Sequence, residues 1–272
     1  MMNDSVADGF ARDGTVVLRG ALTADDVAAL ARGIDANLAS PSPNAKVASS
    51  ADDPGRFVED FCCWQDNADY RALIWQSELP RLAAELLGSR AVRLYHDHML
   101  TKSAGTRQAT PWHQDQPYYN IDGAQTISFW IPADLVPRHS TLEFVAGSHR
   151  GPWLMPRSFM DDQAKWFPEG ALEELPDIDA DPVRFPIIGW ALAPGDVVAF
   201  NMLTLHRAAG SAVDRRVLSL RFIGDDVRHA PREWRTSPEF PGLRERLPAG
   251  AELNDPLFPL VWNNHLRCEM PQ

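Results

Sequence analysis

The chain has few cysteines, and their spacing gives them no common use. Cys62, Cys63 and Cys268 form neither a C-x-x-C metal pair nor an even set for disulfides, so we expect idle thiols in a reducing compartment. The chain also lacks an apolar run of about 18 residues, the length that a membrane-spanning helix needs. Its first residues carry acids in place of the basic and apolar stretches of a secretory signal. These absences favour a cytoplasmic protein with no membrane partner.

Basic residues are scarce as well. The chain has 26 lysines and arginines against 37 acids, a formal net charge of −11. A surface of this charge repels phosphate backbones, so nucleic acid is not expected as a partner. The hydrophobic content of 44% and charged content of 23% are ordinary for a globular protein. At 272 residues we predict a single domain spanning residues 1–272.

The character of the sequence changes near residue 90. Before it, "LTADDVAALARGIDANLAS" predicts a helix with Thr23 and Asp26 as a capping box, and a second helical region is expected over 67–87. After it, short β-rich runs alternate with Gly, Pro and Asp turns, as in "AVRLYHDHMLTK", "QTISFWI", "TLEFVAG", "DVVAFNM" and "RVLSLRFIG". This order predicts a mainly β sandwich or barrel with flanking helices.

The same reading divides the domain into parts. We expect a helical N-terminal layer at 1–90, a β core at 91–225 and a loop-rich C-terminal extension at 226–272. Within the core, residues 151–190 form a long insertion that lacks the features of strands. A loop of this length in a compact domain is more often a lid or binding loop than a linker.

The segment "PWHQDQPYY" places His113 and Asp115 two residues apart. On a strand, such residues point to the same face and can bind one ion together. A third ligand could come from His206, which follows the predicted strand "DVVAF". Two imidazoles and one carboxylate leave three positions open on an octahedral Fe(II) ion, as oxygen chemistry requires. The sequence therefore predicts a metal site made by these three residues.

An arginine pair follows the third ligand. Arg215 and Arg216 open a predicted strand nine residues after His206. An iron site of this kind needs an electron-rich cosubstrate, and the far carboxylate of a chelating 2-oxo acid could bind an arginine fork. Strand alternation puts the two arginines on opposite faces and leaves open which of them faces the metal.

These segments resemble the phytanoyl-CoA dioxygenase family of Fe(II)/2-oxoglutarate oxygenases. The resemblance lies in "WHQDQPYY", "FWIPADLVPRHSTLEFVAGSHRG" and "PGDVVAFNMLTLHRAAG…DRRVLSLRF" and covers about four fifths of the chain. It implies a double-stranded β-helix, a jelly roll of the cupin type, with Fe(II) on His113, Asp115 and His206. It further implies that Arg215 binds the 2-oxoglutarate carboxylate and that Trp130 lines this cosubstrate.

Four further residues are candidates near the metal. His98 stands where relatives of this family place an apolar residue or methionine beside the cosubstrate, and Lys102 is a candidate for the lysine that some relatives use there. Tyr118 and Asn120 follow the metal segment closely enough to line the pocket mouth and bind substrate. For His96 we expect a structural role.

The resemblance implies an Fe(II)- and 2-oxoglutarate-dependent dioxygenase. Such an enzyme uses O2 to hydroxylate an unactivated C–H bond of a small-molecule metabolite, with release of succinate and CO2. The intact carboxylate at Asp115 favours hydroxylation over halogenation, because halogenating relatives replace that ligand with a small residue. Two alternatives remain: a zinc hydrolase using the same triad, and a non-catalytic binding protein on the same fold. The residues choose neither a substrate nor an oligomeric state.

Overall fold

The helices of the protein lie mainly in its first 90 residues. The computed structural model describes residues 4–156, 167–264 and 270, and its helices are α1 (Asp4–Asp13), α2 (Ala24–Ala39), α3 (Ala68–Gln76), α4 (Leu79–Leu87) and α5 (Leu243–Arg246). The predicted capping box of α2 is confirmed: the Thr23 hydroxyl accepts from the Asp26 amide, and the Asp26 carboxylate accepts from the Thr23 amide. The helix α4 ends at Gly88 in the left-handed conformation, with φ of 61°. No helix in the described ranges is long and apolar enough to cross a membrane.

In the described ranges the strands form three antiparallel sheets: a large one, a small one and a two-stranded pair. They are β1 (Thr15–Leu18), β2 (Lys46–Val47), β3 (Phe57–Phe61), β4 (Ala91–Lys102), β5 (Thr110–His113), β6 (Ile121–Asp122), β7 (Thr126–Pro132), β8 (Leu142–Val145), β9 (Ile187–Ile188), β10 (Val197–Phe200), β11 (His206–Ala208), β12 (Arg215–Ile223), β13 (Arg228–His229) and β14 (Leu260–Asn263). The large sheet has the order β1-β10-β7-β12-β4-β3-β2, with β14 also paired to β4, and the small sheet has the order β5-β11-β8-β9. The strands β6 and β13 pair only with each other. In the part of the chain described, strand pairing does not close the two sheets into a barrel. This is the predicted mainly β, jelly-roll class of fold.

Strands occur in three parts of the chain that were expected to be helical or loop-rich. The first 90 residues are not only a helical layer, because β1 pairs with β10, and β3 pairs with β4 and β2. The insertion at 151–190 contains a strand, since β9 extends the small sheet beside β8, and its residues 157–166 lie outside the described ranges. The C-terminal extension is loop-rich but supplies β14 to the large sheet. The core therefore recruits strands from both flanking parts.

Side-chain alternation along β12 separates the two faces of the large sheet. Leu218, Leu220 and Phe222 are fully buried on the outer face, in one cluster with residues of α2, α3 and α4. Val217 lies on the inner face, in the cluster that joins the large sheet to the small one. Arg216 points outward and pairs with Asp134 and Asp35. Arg215 therefore faces the interior, which strand alternation alone left open and which agrees with the residue that the family resemblance implies.

Candidate metal centre and cosubstrate cavity

The three predicted ligands meet between the two sheets. His113 and His206 are paired across β5 and β11, with ring centroids 4.2 Å apart. Their Nε2 atoms lie 3.8 and 3.7 Å from Asp115 Oδ1, and the three ligand atoms are within 4.8 Å of one another. Two imidazole nitrogens and a carboxylate oxygen at this separation fit a single divalent iron ion.

Backbone carbonyls orient both imidazoles. His113 Nδ1 lies 2.8 Å from the Pro111 carbonyl, and His206 Nδ1 lies 2.9 Å from the Thr204 carbonyl. A carbonyl can only accept, so each Nδ1 carries the proton and each Nε2 presents a lone pair to the metal position. Burial lowers the pKa of His206, which favours the neutral imidazole that a metal requires.

The third ligand lies just beyond its strand. The sequence argument placed His113 and Asp115 on one strand, but β5 ends at His113 and Asp115 begins a one-turn 3₁₀ helix. The turn is held by the Met202 carbonyl, which accepts hydrogen bonds from the amides of Asp115 and Gln116. Gln114 lies between the two ligands in sequence. Its side chain donates to the carbonyls of Pro152 and Leu203 and accepts from the Leu154 amide. Pro152 and Leu154 are at the start of the insertion at 151–190. The ligand spacing thus depends on a turn and on contacts from distant segments.

Two side chains hold the second oxygen of Asp115. Its Oδ2 accepts from the Ser128 hydroxyl at 3.0 Å and from Arg221 Nη2 at 3.3 Å. Arg221 Nε also donates to the Tyr119 hydroxyl at 2.9 Å, so the guanidinium is itself fixed. Burial alone would raise the pKa of Asp115, but Arg221 and the two histidines hold it well below its usual value. Asp115 is therefore a carboxylate with Oδ1 left for the metal.

A buried guanidinium faces the same cavity. Arg215 is 2% exposed, donates through Nη1 to the Ser140 carbonyl and lies 5.4 Å from the ring centroid of Trp130. Its Nε has no hydrogen-bond partner, and no carboxylate in the described segments pairs with it. Burial lowers the pKa of Arg215 to about 10, so the group remains charged at neutral pH. An uncompensated buried cation of this kind is suited to a ligand carboxylate.

His98 and Lys102 share a strand but occupy different surroundings. His98 lines the cavity, where its ring stacks on Phe61 at 3.9 Å. Lys102 is fully buried, and its ammonium donates to the carbonyls of Gln108 and Ala209 at 2.6 and 2.9 Å. Burial and the charge of Arg215 lower the pKa of Lys102 to about 7. Lys102 thus lies behind the cavity wall, and a direct contact with the cosubstrate would require it to leave both carbonyls.

Only one of the two predicted substrate-binding residues lines the cavity. Tyr118 lines the cavity, in an edge-to-face contact with the His113 ring at 6.3 Å. Asn120 does not line it: its Oδ1 accepts from the Tyr95 hydroxyl at 2.6 Å, and its Nδ2 lies 3.4 Å from His229 Nε2. The 3₁₀ turn after Asp115 changes the direction of the chain and buries Asn120 in a neighbouring core cluster. The geometry therefore argues against a substrate contact by Asn120.

Sequence reasoning assigned no role to several residues that surround the ligands. Ser128 and Arg221 hold Asp115, and Glu59 lines the cavity beside His98. Arg221 and Arg215 are an even number of residues apart on one strand, so side-chain alternation predicts that they share a face. Ser128 and Glu59 had no such signal, because their positions follow from sheet register alone.

Comparison with protein families places this site in context. The profile of the phytanoyl-CoA dioxygenase family, PhyH, matches residues 10–217. The chain belongs to the phytanoyl-CoA dioxygenase family. It is therefore an oxygenase-type enzyme of the Fe(II)/2-oxoglutarate class, and its His-Asp-His triad fits the iron of that class. A comparison with curated proteins found no match.

Solved structures share the fold along most of the chain. The carbocyclase SnoK from nogalamycin biosynthesis is 22% identical, with a TM-score of 0.72 over 96% of each chain. The epimerase SnoN, solved in complex with Fe3+, alpha ketoglutarate and nogalamycin RO, is 22% identical, with a TM-score of 0.73 over 95% of this chain and 98% of its own. EctD from S. alaskensis is 20% identical, with a TM-score of 0.64 over 82% of this chain and 77% of its own. At these identities the likeness establishes the fold.

Proposed function

We propose that this phytanoyl-CoA dioxygenase family member hydroxylates an unactivated C–H bond of a small-molecule metabolite, using O2 and 2-oxoglutarate and releasing succinate and CO2. One observation carries the proposal. A three-ligand metal set and a buried guanidinium face one cavity, and no carboxylate among the described residues pairs with that guanidinium. The open metal positions suit a chelating keto acid, and the guanidinium suits its far carboxylate.

Residues from the two sheets would have different roles in the reaction. His113, Asp115 and His206 would hold Fe(II), and Arg215 would bind the distal carboxylate of 2-oxoglutarate beside Trp130. Bound together, the metal and cosubstrate supply an oxidant strong enough to attack a C–H bond. The protein positions that bond and keeps water away from the reacting atoms. The aromatic and aliphatic wall of the cavity, which includes Phe57, Phe61, Leu100, Leu142 and Phe200, supports this second task.

Arg215 also weighs against the zinc hydrolase. Such an enzyme needs the triad and a water molecule. It offers no ligand carboxylate to the buried guanidinium of Arg215, which pairs with no carboxylate of the described residues. A non-catalytic binding protein could use both features without turnover, and oxygen-dependent succinate release would exclude it. Because the same fold occurs in a carbocyclase and an epimerase, the product must be identified as well as the turnover.

A metabolite screen for substrate-stimulated, oxygen-dependent succinate release tests the proposal. A hit should give a product that has gained one oxygen atom, and Asp115→Ala should abolish the signal. Asp122→Ala is the matched control, because Asp122 lies seven residues further on, is exposed, and pairs with Arg232 outside the cavity. Succinate release that persists in Asp115→Ala, or zinc-dependent hydrolysis without oxygen, would contradict the proposal.

A further inference from the structure

The cavity has a second polar element, on the strands beyond Arg215. Alternate residues of β3, namely Phe57, Glu59 and Phe61, point into it, as does His98 on the adjacent strand β4. The side chains of Glu59 and His98 are 14% and 12% exposed. His98 Nε2 lies 3.5 Å from Glu59 Oε2, which is at the outer limit of a hydrogen bond, and has no better-aligned partner among the residues described.

Sheet register fixes where this pair lies. Trp130, Ser219, His98 and Phe61 form one row across β7, β12, β4 and β3, and all four line the cavity. The cosubstrate residues Trp130 and Arg215 belong to the β7 and β12 side of this row. Glu59 and the His98–Phe61 stack belong to the side nearer β2. The pair therefore lines the part of the cavity left to the substrate.

The charged groups described at this end of the cavity favour a neutral substrate group. Glu59 lies opposite Lys46 of β2 in the register, and the Lys46 ammonium sits 5.1 Å from the Phe61 ring centroid and also lines the cavity. A substrate carboxylate here would be attracted by Lys46 but repelled by Glu59, and a substrate ammonium would be attracted by Glu59 but repelled by Lys46, so neither gains enough to offset the loss of its hydration. A hydroxyl group is neutral and both donates and accepts hydrogen bonds. It can donate to the Glu59 carboxylate and bond to His98 Nε2 at the same time.

We propose that Glu59 and His98 hold a hydroxyl group of the substrate, and that the substrate is a neutral, hydroxylated small molecule. This inference rests on the proposed function, because it assigns the substrate end of the same cavity. Glu59 and His98 are positioning residues here: they fix the substrate against the metal and take no part in bond breaking. The stack of His98 on Phe61 keeps the imidazole edge turned toward Glu59.

The test compares matched compounds and variants of the full chain. Alcohols, primary amines and carboxylic acids on shared carbon skeletons are screened for stimulation of succinate release, beginning with cyclohexanol, cyclohexylamine and cyclohexanecarboxylate and extending to polyols. Activating compounds should carry a free hydroxyl. With the best of them, Glu59→Ala should raise KM roughly 10- to 100-fold, as expected for loss of a hydrogen bond to a charged acceptor. Glu59→Gln, which still accepts a hydrogen bond, should raise KM less.

A separate readout keeps failure of this inference distinct from failure of the proposed function. Thermal stabilisation by 2-oxoglutarate with Fe(II) should be the same in wild type, Glu59→Ala and the control Glu85→Ala, whose side chain pairs with Arg81 on α4. If 2-oxoglutarate with Fe(II) does not stabilise the wild type, the proposed function is refuted. If the wild type is stabilised, three results would still overturn the inference. These are activation by amines or acids alone, no activating alcohol in the panel, and an unchanged KM in Glu59→Ala.

Discussion

Replacing Arg215 with methionine should stabilise the protein without cosubstrate and abolish its response to 2-oxoglutarate. The guanidinium is buried, and burial lowers its pKa from 12.5 to about 10. A shift of this size corresponds to about 3 kcal/mol at 1.36 kcal/mol per unit of pKa. Because the pKa is lowered, this cost is fully present at pH 7, where the group is charged in both the folded and unfolded states. It is relieved only as the pH rises above about 10.

Methionine removes that cost but also removes two contacts. The hydrogen bond to the Ser140 carbonyl and the contact with Trp130 are each worth about 1 kcal/mol. The net gain in unfolding free energy is then about 1 kcal/mol, or about 2–4 °C in Tm for a chain of this size. Wild type at a 2-oxoglutarate concentration 100 times Kd should gain about 2.7 kcal/mol. The variant should gain nothing, so the order of the two Tm values should reverse when the cosubstrate is added with Fe(II).

Differential scanning fluorimetry with and without 2-oxoglutarate measures this reversal. Arg216→Met is the matched control, since Arg216 points outward to Asp134 and Asp35. It should lose a little stability, because its ion pairs are partly exposed, and should keep the full response to the cosubstrate. An Arg215→Met variant that is less stable than wild type without cosubstrate, or that is still stabilised by it, would refute the reasoning.

Three further results are expected. Ser128→Ala removes one of the hydrogen bonds to Asp115 Oδ2 and should weaken iron binding by roughly tenfold in equilibrium dialysis; unchanged affinity would show that Arg221 alone orients the ligand. Asn120→Ala should lower the unfolding free energy by about 1–3 kcal/mol in urea denaturation while KM stays constant, and a raised KM would restore the substrate role. Because burial lowers the pKa of His206 below 6.5, proton competition should set in only below that pH; a titration in which half the iron is lost at or above pH 6.5 would contradict this.

Local patterns predicted the elements whose signals are contained within them. The capping box of α2 and the β-rich runs that become β4, β7, β8, β10 and β12 were all found. The strands β1 and β3 were missed because each is short, lies between helices and pairs with a segment far along the chain. Thr15, for example, pairs with Phe200. Strands of this kind are stabilised by their partners more than by their own composition.

In the candidate site too, residues with an informative local pattern were predicted, and residues placed by strand register were not. The triad could be predicted because its residue types and spacing are informative on their own, although a turn rather than strand alternation places Asp115. The choice of Arg215 over Arg216, and the positions of Glu59 and Ser128, depend on which strands are neighbours. Side-chain alternation assigns each residue of a strand to one of two faces. Only the register across β7, β12, β4 and β3 shows which of these faces lines the cavity.

The most direct measurement is an anaerobic titration of the protein with Fe(II) and 2-oxoglutarate, followed by visible absorption. Chelation of ferrous iron by the keto acid should give a weak charge-transfer band in wild type, and His206→Ala should lose it. Zinc cannot produce this band. Its absence in wild type loaded with both components, or its persistence without His206, would contradict a site built from His113, Asp115 and His206.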